Sequence, residues 1–160
     1  IKEYLPKVVM DGKDIDARAY MLVSSTMGST AFQKGLGAIH SLSHPVNSVY
    51  DSHHGLTNAI FMPYVLEVNK SAIEEKIILL SKYIGLKEQS YKSFMKWILD
   101  IREQLEIPNT IKEIGVQEND FDKLSLMALN DPSTGGNPVK LSQEDFKSLY
   151  ERSYQGKLKY

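Results

Sequence analysis

The sequence predicts an all-α fold, a bundle of roughly seven or eight helical segments, and three observations carry that prediction. Apolar residues recur three and four positions apart and rarely two apart. Helix start and stop signals bracket those runs. No stretch alternates over enough residues to make a convincing strand.

Asp14 is placed to cap a long helix from about Ile15 to the region of Ala31, whose far half carries Ser24, Ser25, Thr26, Gly28, Ser29 and Thr30. Such small side chains allow another backbone to come close. Leu36 to His44 reads as a short helix stopped by Pro45, and a nine-residue excursion then leads to His54-Gly55 and a helix through Leu56, Ala59, Ile60 and Pro63. Ile73, Ile77, Leu80 and Ile84 mark a further helix, with Ser71 and Glu74 as a capping box before it and Gly85 as its stop. Phe94, Trp97, Ile98, Ile101 and Leu105 repeat the pattern up to Pro108. Thr110 and Glu113 open a short turn closed by Gly115, and Phe121, Leu124 and Ala128 mark another helix. Asp131 to Pro138 holds a turn former at nearly every position and reads as a long surface loop. The last helix starts at Ser142, with Leu141 and Phe146 as a hydrophobic staple, and runs to about Tyr154. Trp97 and the phenylalanine and tyrosine residues read as core, and the six methionines as gap fillers.

A chain of 160 residues with 42% hydrophobic content suits a single domain, 1–160. Nineteen basic residues against twenty acidic ones leave a formal charge of -1 without a basic run, which argues against nucleic acid as a partner. No apolar stretch reaches the roughly 20 residues of a spanning helix, so no membrane partner is expected. The absence of cysteine fits a reducing compartment, and cytoplasm is the expectation. The chain opens Ile1-Lys2-Glu3-Tyr4-Leu5, without initiator methionine or signal-peptide core, and reads as a piece of something longer.

Chemistry is concentrated in one place. All four histidines, His40, His44, His53 and His54, fall within fifteen residues. His40 and His44 leave one helix face a turn apart, and the excursion after Pro45 can fold back to bring His54 beside His40. Two neutral imidazoles converging from neighbouring helices would supply half of the ligand set of Zn²⁺ or Fe²⁺. His44 and Asp51 are further candidates within the segment, while His53 reads as a bystander. A proton-transfer site and plain packing of the rings remain open beside metal binding. The glutamate of a zinc-protease HExxH motif is missing, since residues 41–43 are Ser-Leu-Ser. Gly35 and Gly37 lack the third glycine and preceding strand of a dinucleotide fingerprint, and close packing accounts for them better.

Taken together, Gly35-x-Gly37-x-x-His40-x-x-x-His44-Pro45 followed by His54-Gly55-x-x-Asn58-Ala59 and Pro63 resembles the signature of the iron-containing (group III) alcohol dehydrogenases. Flanking residues agree: Tyr4-Leu5-Pro6, Asp11-Gly12, Ala17-Arg18, Asn69 and Asn137-Pro138. The resemblance covers essentially the whole chain, as the helical C-terminal domain of the dehydroquinate synthase-like fold. It implies metal-ligand roles for His40 and His54, and a place for His44 in the cleft by the nicotinamide and substrate, in proton relay or contact with the nicotinamide ribose. It further implies Fe²⁺ or Zn²⁺ as the metal and an NAD(P) cofactor held mainly by an N-terminal nucleotide-binding domain that this chain lacks. The activity implied is interconversion of a small alcohol and an aldehyde or ketone by hydride transfer, in which the metal polarises the substrate oxygen. The fragment alone is then expected to be inactive, and a homo-oligomer is open to it. The alternative is a stand-alone helical metal-binding or scaffold module without catalysis. Two departures from the family stand out: His53 where many members have proline, and Asn47 where a glycine often sits two positions after Pro45.

Overall fold

The computed structural model describes residues 1–159, and the secondary structure among them is helical throughout. Seven α-helices follow in order: α1 (Tyr4–Met10), α2 (Ile15–Ala31), α3 (Ala38–Tyr50), α4 (His54–Tyr83), α5 (Tyr91–Gln104), α6 (Phe121–Leu129) and α7 (Gln143–Gln155). Short 3₁₀ turns lie at Phe32–Lys34, Ile111–Ile114, Glu118–Asp120 and Pro132–Gly136.

The spine is α4. Its 30 residues extend about 45 Å at 1.5 Å per residue, long enough to serve two apolar clusters. Its first half contributes Ile60, Phe61, Tyr64 and Val65 to the larger cluster, with Leu42 and Val46 of α3, Leu124 of α6 and Phe146, Leu149 and Tyr150 of α7. Its second half places Ile77 against Tyr91, Phe94, Met95 and Ile98 of α5. Tyr150 ties α7 to α3 by donating its hydroxyl to the Leu42 carbonyl at 2.7 Å, between the rings of Phe61 and Phe121. Burial of this phenol pushes its pKa well above the ordinary value.

The expected caps of the outer helices are present. Asp14 accepts from the Ala17 amide, Ser142 and Asp145 form a reciprocal box, and so do Thr110 and Glu113 before the left-handed Gly115. Other expectations are corrected. Ser71 and Glu74 do not open a helix, because α4 runs through them unbroken and Glu74 instead faces Lys70 one turn back at 3.8 Å. Pro45 does not stop α3. The helix continues to Tyr50 and ends at left-handed Asp51, so the expected excursion shrinks to Asp51-Ser52-His53. An internal proline costs a helix about 3 kcal/mol, but here Val46 beyond it is fully buried, the Tyr50 hydroxyl donates to Asp120, and the Gln117 amide donates to Tyr50 at 3.0 Å. These tertiary contacts hold the turns that the proline weakens.

The segment from Asp131 to Pro138 lies at the surface as expected, with Pro132, Gly135, Gly136 and Pro138 exposed, but it is fastened to the bundle. Gly136 approaches Leu36 so closely that a Cβ would meet the Leu36 carbonyl oxygen at 2.0 Å. Asn137 accepts from the Ala38 amide at 3.2 Å and exchanges bonds of 2.9 and 2.8 Å with buried Asn69 of α4. Among the described residues nothing approaches Gly28 of α2, and Ser24, Thr26, Ser29 and Thr30 donate to carbonyls four residues back. Nor are all methionines fillers, since Met95 is buried while Met10 and Met27 are exposed. No helix among the described residues is long and apolar enough to cross a membrane.

Candidate metal centre

The site is built from two helix starts facing each other. Gly37 opens α3 without a side-chain cap, and Asn137 serves in its place by accepting from the Ala38 amide. Gly37 itself is shaped by that contact, a Cβ there falling 3.1 Å from Asn137 Oδ1. Ala38, Leu42 and Val46 then form the buried stripe, which leaves His40, His44 and Asn47 along the adjoining face. At the other side of the tight link, His53 caps α4 by accepting the Leu56 amide on Nδ1 at 3.2 Å, and His54 is the first residue of the helix. His53 is thus a cap, with its ring turned to the backbone.

Three imidazoles meet in a near-equilateral triangle. Ring centroids lie 5.6 Å apart for His40 and His44, 5.3 Å for His40 and His54, and 5.4 Å for His44 and His54. Phe32 closes one side with its ring edge-on to His40. One atom reports where two of the rings point: Asn58 Nδ2 lies 3.0 Å from His54 Nε2 and 3.4 Å from His40 Nε2. The Ser43 hydroxyl donates to Asn58 Oδ1 at 2.5 Å, and the amide NH₂ faces the imidazoles. Both Nε2 atoms therefore receive hydrogens and present lone pairs to the same point.

The opposite nitrogens are held as well. His54 Nδ1 lies 2.7 Å from Asn47 Oδ1, and His44 Nδ1 lies 2.9 Å from Asp131 Oδ2. Asp131 Oδ1 accepts the Ser133 amide at 2.8 Å. Burial works against the Asp131 carboxylate, but the Ser133 amide and His44 outweigh it and hold its pKa below the ordinary range. Burial pushes the His40 imidazole below its ordinary pKa, and the neighbouring rings of His54 and His44 push it the same way, against Asp131. Desolvation followed by the rings of His44 and His53 lowers that of His54. A neutral ring is the form that binds metal, and here the Asn58 amide faces the two Nε2 lone pairs.

The donor set therefore fits a divalent ion in part. His40 and His54 supply two aligned nitrogen donors, the number that neutral imidazoles of a shared site would give. Among the described residues no three histidine or carboxylate side chains group so as to hold a metal unaided. Asp51, a candidate from sequence, is the exposed C-cap of α3.

Sequence reasoning gave no role to Asn58, or to Asp131 in what read as a loop, and treated Asn47 only as an oddity. A signal existed for Asn58 alone, four residues after His54 and so on its face of α4.

The Fe-containing alcohol dehydrogenase family, C-terminal, matches residues 1–154. The chain belongs to this family as its C-terminal domain. It is 33% identical over 159 residues to 4-hydroxybutyrate dehydrogenase of Cupriavidus necator, and 32% over 152 residues to NADPH-dependent butanol dehydrogenase of Clostridium saccharobutylicum. These matches take in 94% and 89% of the chain but only 41% and 39% of the relatives. Among solved structures, 1,3-propanediol oxidoreductase superposes with a TM-score of 0.91 at 26% identity, over 96% of this chain and 42% of that one. An alcohol dehydrogenase from Oenococcus oeni gives 0.89 at 28% identity, with the same coverage. The iron-alcohol-dehydrogenase domain fits the helices without a strand to explain away.

Proposed function

We propose that this chain is the metal-binding helical domain of an NAD(P)-dependent alcohol dehydrogenase, acting on a small alcohol and the corresponding aldehyde or ketone. The observation that carries the reading is the convergence of His40 Nε2 and His54 Nε2 on one point, 3.4 and 3.0 Å from the Asn58 amide nitrogen. The family match over residues 1–154 supports the reaction class. Matched relatives exceed this chain by more than half their length, which supports a nucleotide-binding partner domain contributed by the rest of the protein.

When bound, Fe²⁺ or Zn²⁺ supplies Lewis-acid polarisation of the substrate oxygen, and NAD(P) supplies the hydride exchange. The residues of this chain prepare that chemistry. His40 and His54 would hold the ion through Nε2, and partial burial and the rings around each favour its neutral form. His44 stands within 5.6 Å of both rings but is bound by Asp131 through Nδ1, so its Nε2 is the atom available to relay a proton or touch the nicotinamide ribose. Asp131 fixes the ring orientation in which that relay works. The ring of Phe32 lies against His40.

The test is metal analysis and NAD(P)-linked alcohol oxidation in the intact enzyme. His40→Ala and His54→Ala should each lose metal and activity together, whereas His44→Ala should lower turnover with metal content intact. Full metal retention in a His40→Ala/His54→Ala double variant would end the ligand assignment, and unchanged turnover in His44→Ala would end the relay.

A further inference from the structure

We propose that Asn47 is the positioning residue that sets His54 in its metal-binding tautomer, an inference that rests on the reading of His54 as a ligand. The hydrogen-bond arithmetic at Asn47 permits one orientation of its amide. Nδ2 donates to the Ser52 carbonyl at 3.1 Å, and it also faces the Ser52 and Thr57 hydroxyls at 2.8 and 3.1 Å. A carbonyl can only accept, so the NH₂ end of the amide faces the link and Oδ1 faces His54. His54 Nδ1, 2.7 Å from that oxygen, must then be the donor. A neutral imidazole carries one N–H, and spending it on Asn47 leaves Nε2 with the lone pair. The other side of the ring agrees, with Asn58 Nδ2 3.0 Å from His54 Nε2.

Geometry explains why this residue can do it. Asn47 lies three residues after His44 and seven after His40, on the face of α3 that looks at the start of α4. The continuation of α3 past Pro45 brings it level with His54. Partners of this kind fix ring orientation, and their loss costs about 10- to 100-fold in metal affinity.

The experiment compares the intact protein with its Asn47→Ala and Asn47→Asp variants. Long-range proton–nitrogen correlation of the histidine rings reads the tautomer, with His54 assigned from a His54→Ala sample, and chelator competition reads Zn²⁺ affinity. Asn47→Ala should fold, since alanine favours helix and the link keeps other ties: the Ser52 to Thr57 hydroxyl contact, the Thr57 hydroxyl on the His53 carbonyl, and the His53 cap. The expected result is an Nδ1–H ring in the unaltered protein and a mixture that includes Nε2–H in Asn47→Ala, where the Asn58 amide is the one group left favouring Nδ1–H, with Zn²⁺ affinity lower by about 10- to 100-fold. Asn47→Asp, which keeps an acceptor, should hold the Nδ1–H form and restore affinity. A His54 ring that stays Nδ1–H in Asn47→Ala with undiminished affinity would overturn the proposal, as would an Nε2–H ring in Asn47→Asp should the alanine variant fail to fold. Unchanged Zn²⁺ affinity in His54→Ala would instead remove the ligand reading, a failure separate from that of the tautomer.

Discussion

Replacing Gly136 by alanine tests how the Asp131–Pro138 segment is fastened to the site. The added Cβ would lie 2.0 Å from the Leu36 carbonyl oxygen and 3.2 Å from its carbonyl carbon, where ordinary contact begins at 3.4 Å. Both atoms are backbone, so no rotamer relieves the clash and the two segments must part. The next residue pays for that movement, because Asn137 links the segment to α3 through the Ala38 amide and to α4 through two bonds with Asn69. Overpacking of this kind costs about 1–3 kcal/mol, and weakening these hydrogen bonds without breaking them adds about 1 kcal/mol in all, so a loss near 3 kcal/mol is expected. At about 2–4 °C per kcal/mol for a chain of this size, Tm should fall by roughly 6–12 °C.

Urea and thermal unfolding of the two neighbouring alanine variants decide the matter. A Cβ on Gly135 meets nothing within 4 Å and its φ is not left-handed, so Gly135→Ala should be neutral or stabilise by about 0.4–1 kcal/mol through the unfolded chain. Gly136→Ala within about 0.5 kcal/mol of the unaltered protein, the range of ordinary surface changes, would refute the reasoning, and so would equal losses at both positions.

Tyr150→Phe should lower stability by about 1 kcal/mol in urea, since it removes the bond to the Leu42 carbonyl, whereas Tyr91→Phe should be neutral or slightly stabilising because the buried Tyr91 hydroxyl has no partner among the described residues. Burial is also what raises the Tyr91 phenol to about 12, with Glu67 and Glu74 adding to it, so tyrosine titration should show one late-ionising group fewer in Tyr91→Phe. Asp131→Asn should alter the pH profile of stability in a defined sense. The folded carboxyl sits below its unfolded value of about 3.9, so its contribution is complete above that pH and is lost as pH falls through the lower folded value. The stability difference between the unaltered protein and Asp131→Asn should therefore shrink on acidification below about pH 4, and a difference that grew there would contradict the assignment. His53→Ala should cost about 1 kcal/mol as a lost N-cap while leaving metal content unchanged, as checked by unfolding and by metal analysis.

Most helices were legible because their signals are local. Asp14, Ser142 with Asp145, and Thr110 with Glu113 act on amides three residues away, and the spacing of Ile98 or Leu124 records a buried face. The misreadings share a cause: a local signal overruled by contacts distant in sequence. Ser71 and Glu74 have the text of a capping box, but capping needs a helix to begin there, and burial of Ile60 to Val65 on one side and Ile77 on the other keeps α4 continuous. Pro45 is a stop only while nothing downstream is anchored. Asp120 and Gln117, some 70 residues on, anchor Tyr50.

The candidate site divides along the same line. Donors are visible in sequence because imidazole chemistry belongs to the residue type, and His40, His44 and His54 stand out in a chain with one other histidine. What aims them does not stand out, since Asn and Asp are common turn and loop residues whose role depends on what folding brings near. Asp131 is 87 residues from His44, and Asn47 reaches His54 only because α3 disobeys its proline. That last dependence has a structural consequence. Had α3 ended at His44, Asn47 would sit in the link, Nδ1 of His54 would lose its acceptor, and the choice of tautomer would fall to Asn58 alone. The helix that tolerates Pro45 thereby converts a sequence cluster of histidines into a site with oriented lone pairs, and the tertiary contacts of Val46 and Tyr50 that stabilise the turn after the proline are, through Asn47, part of what holds the site in order.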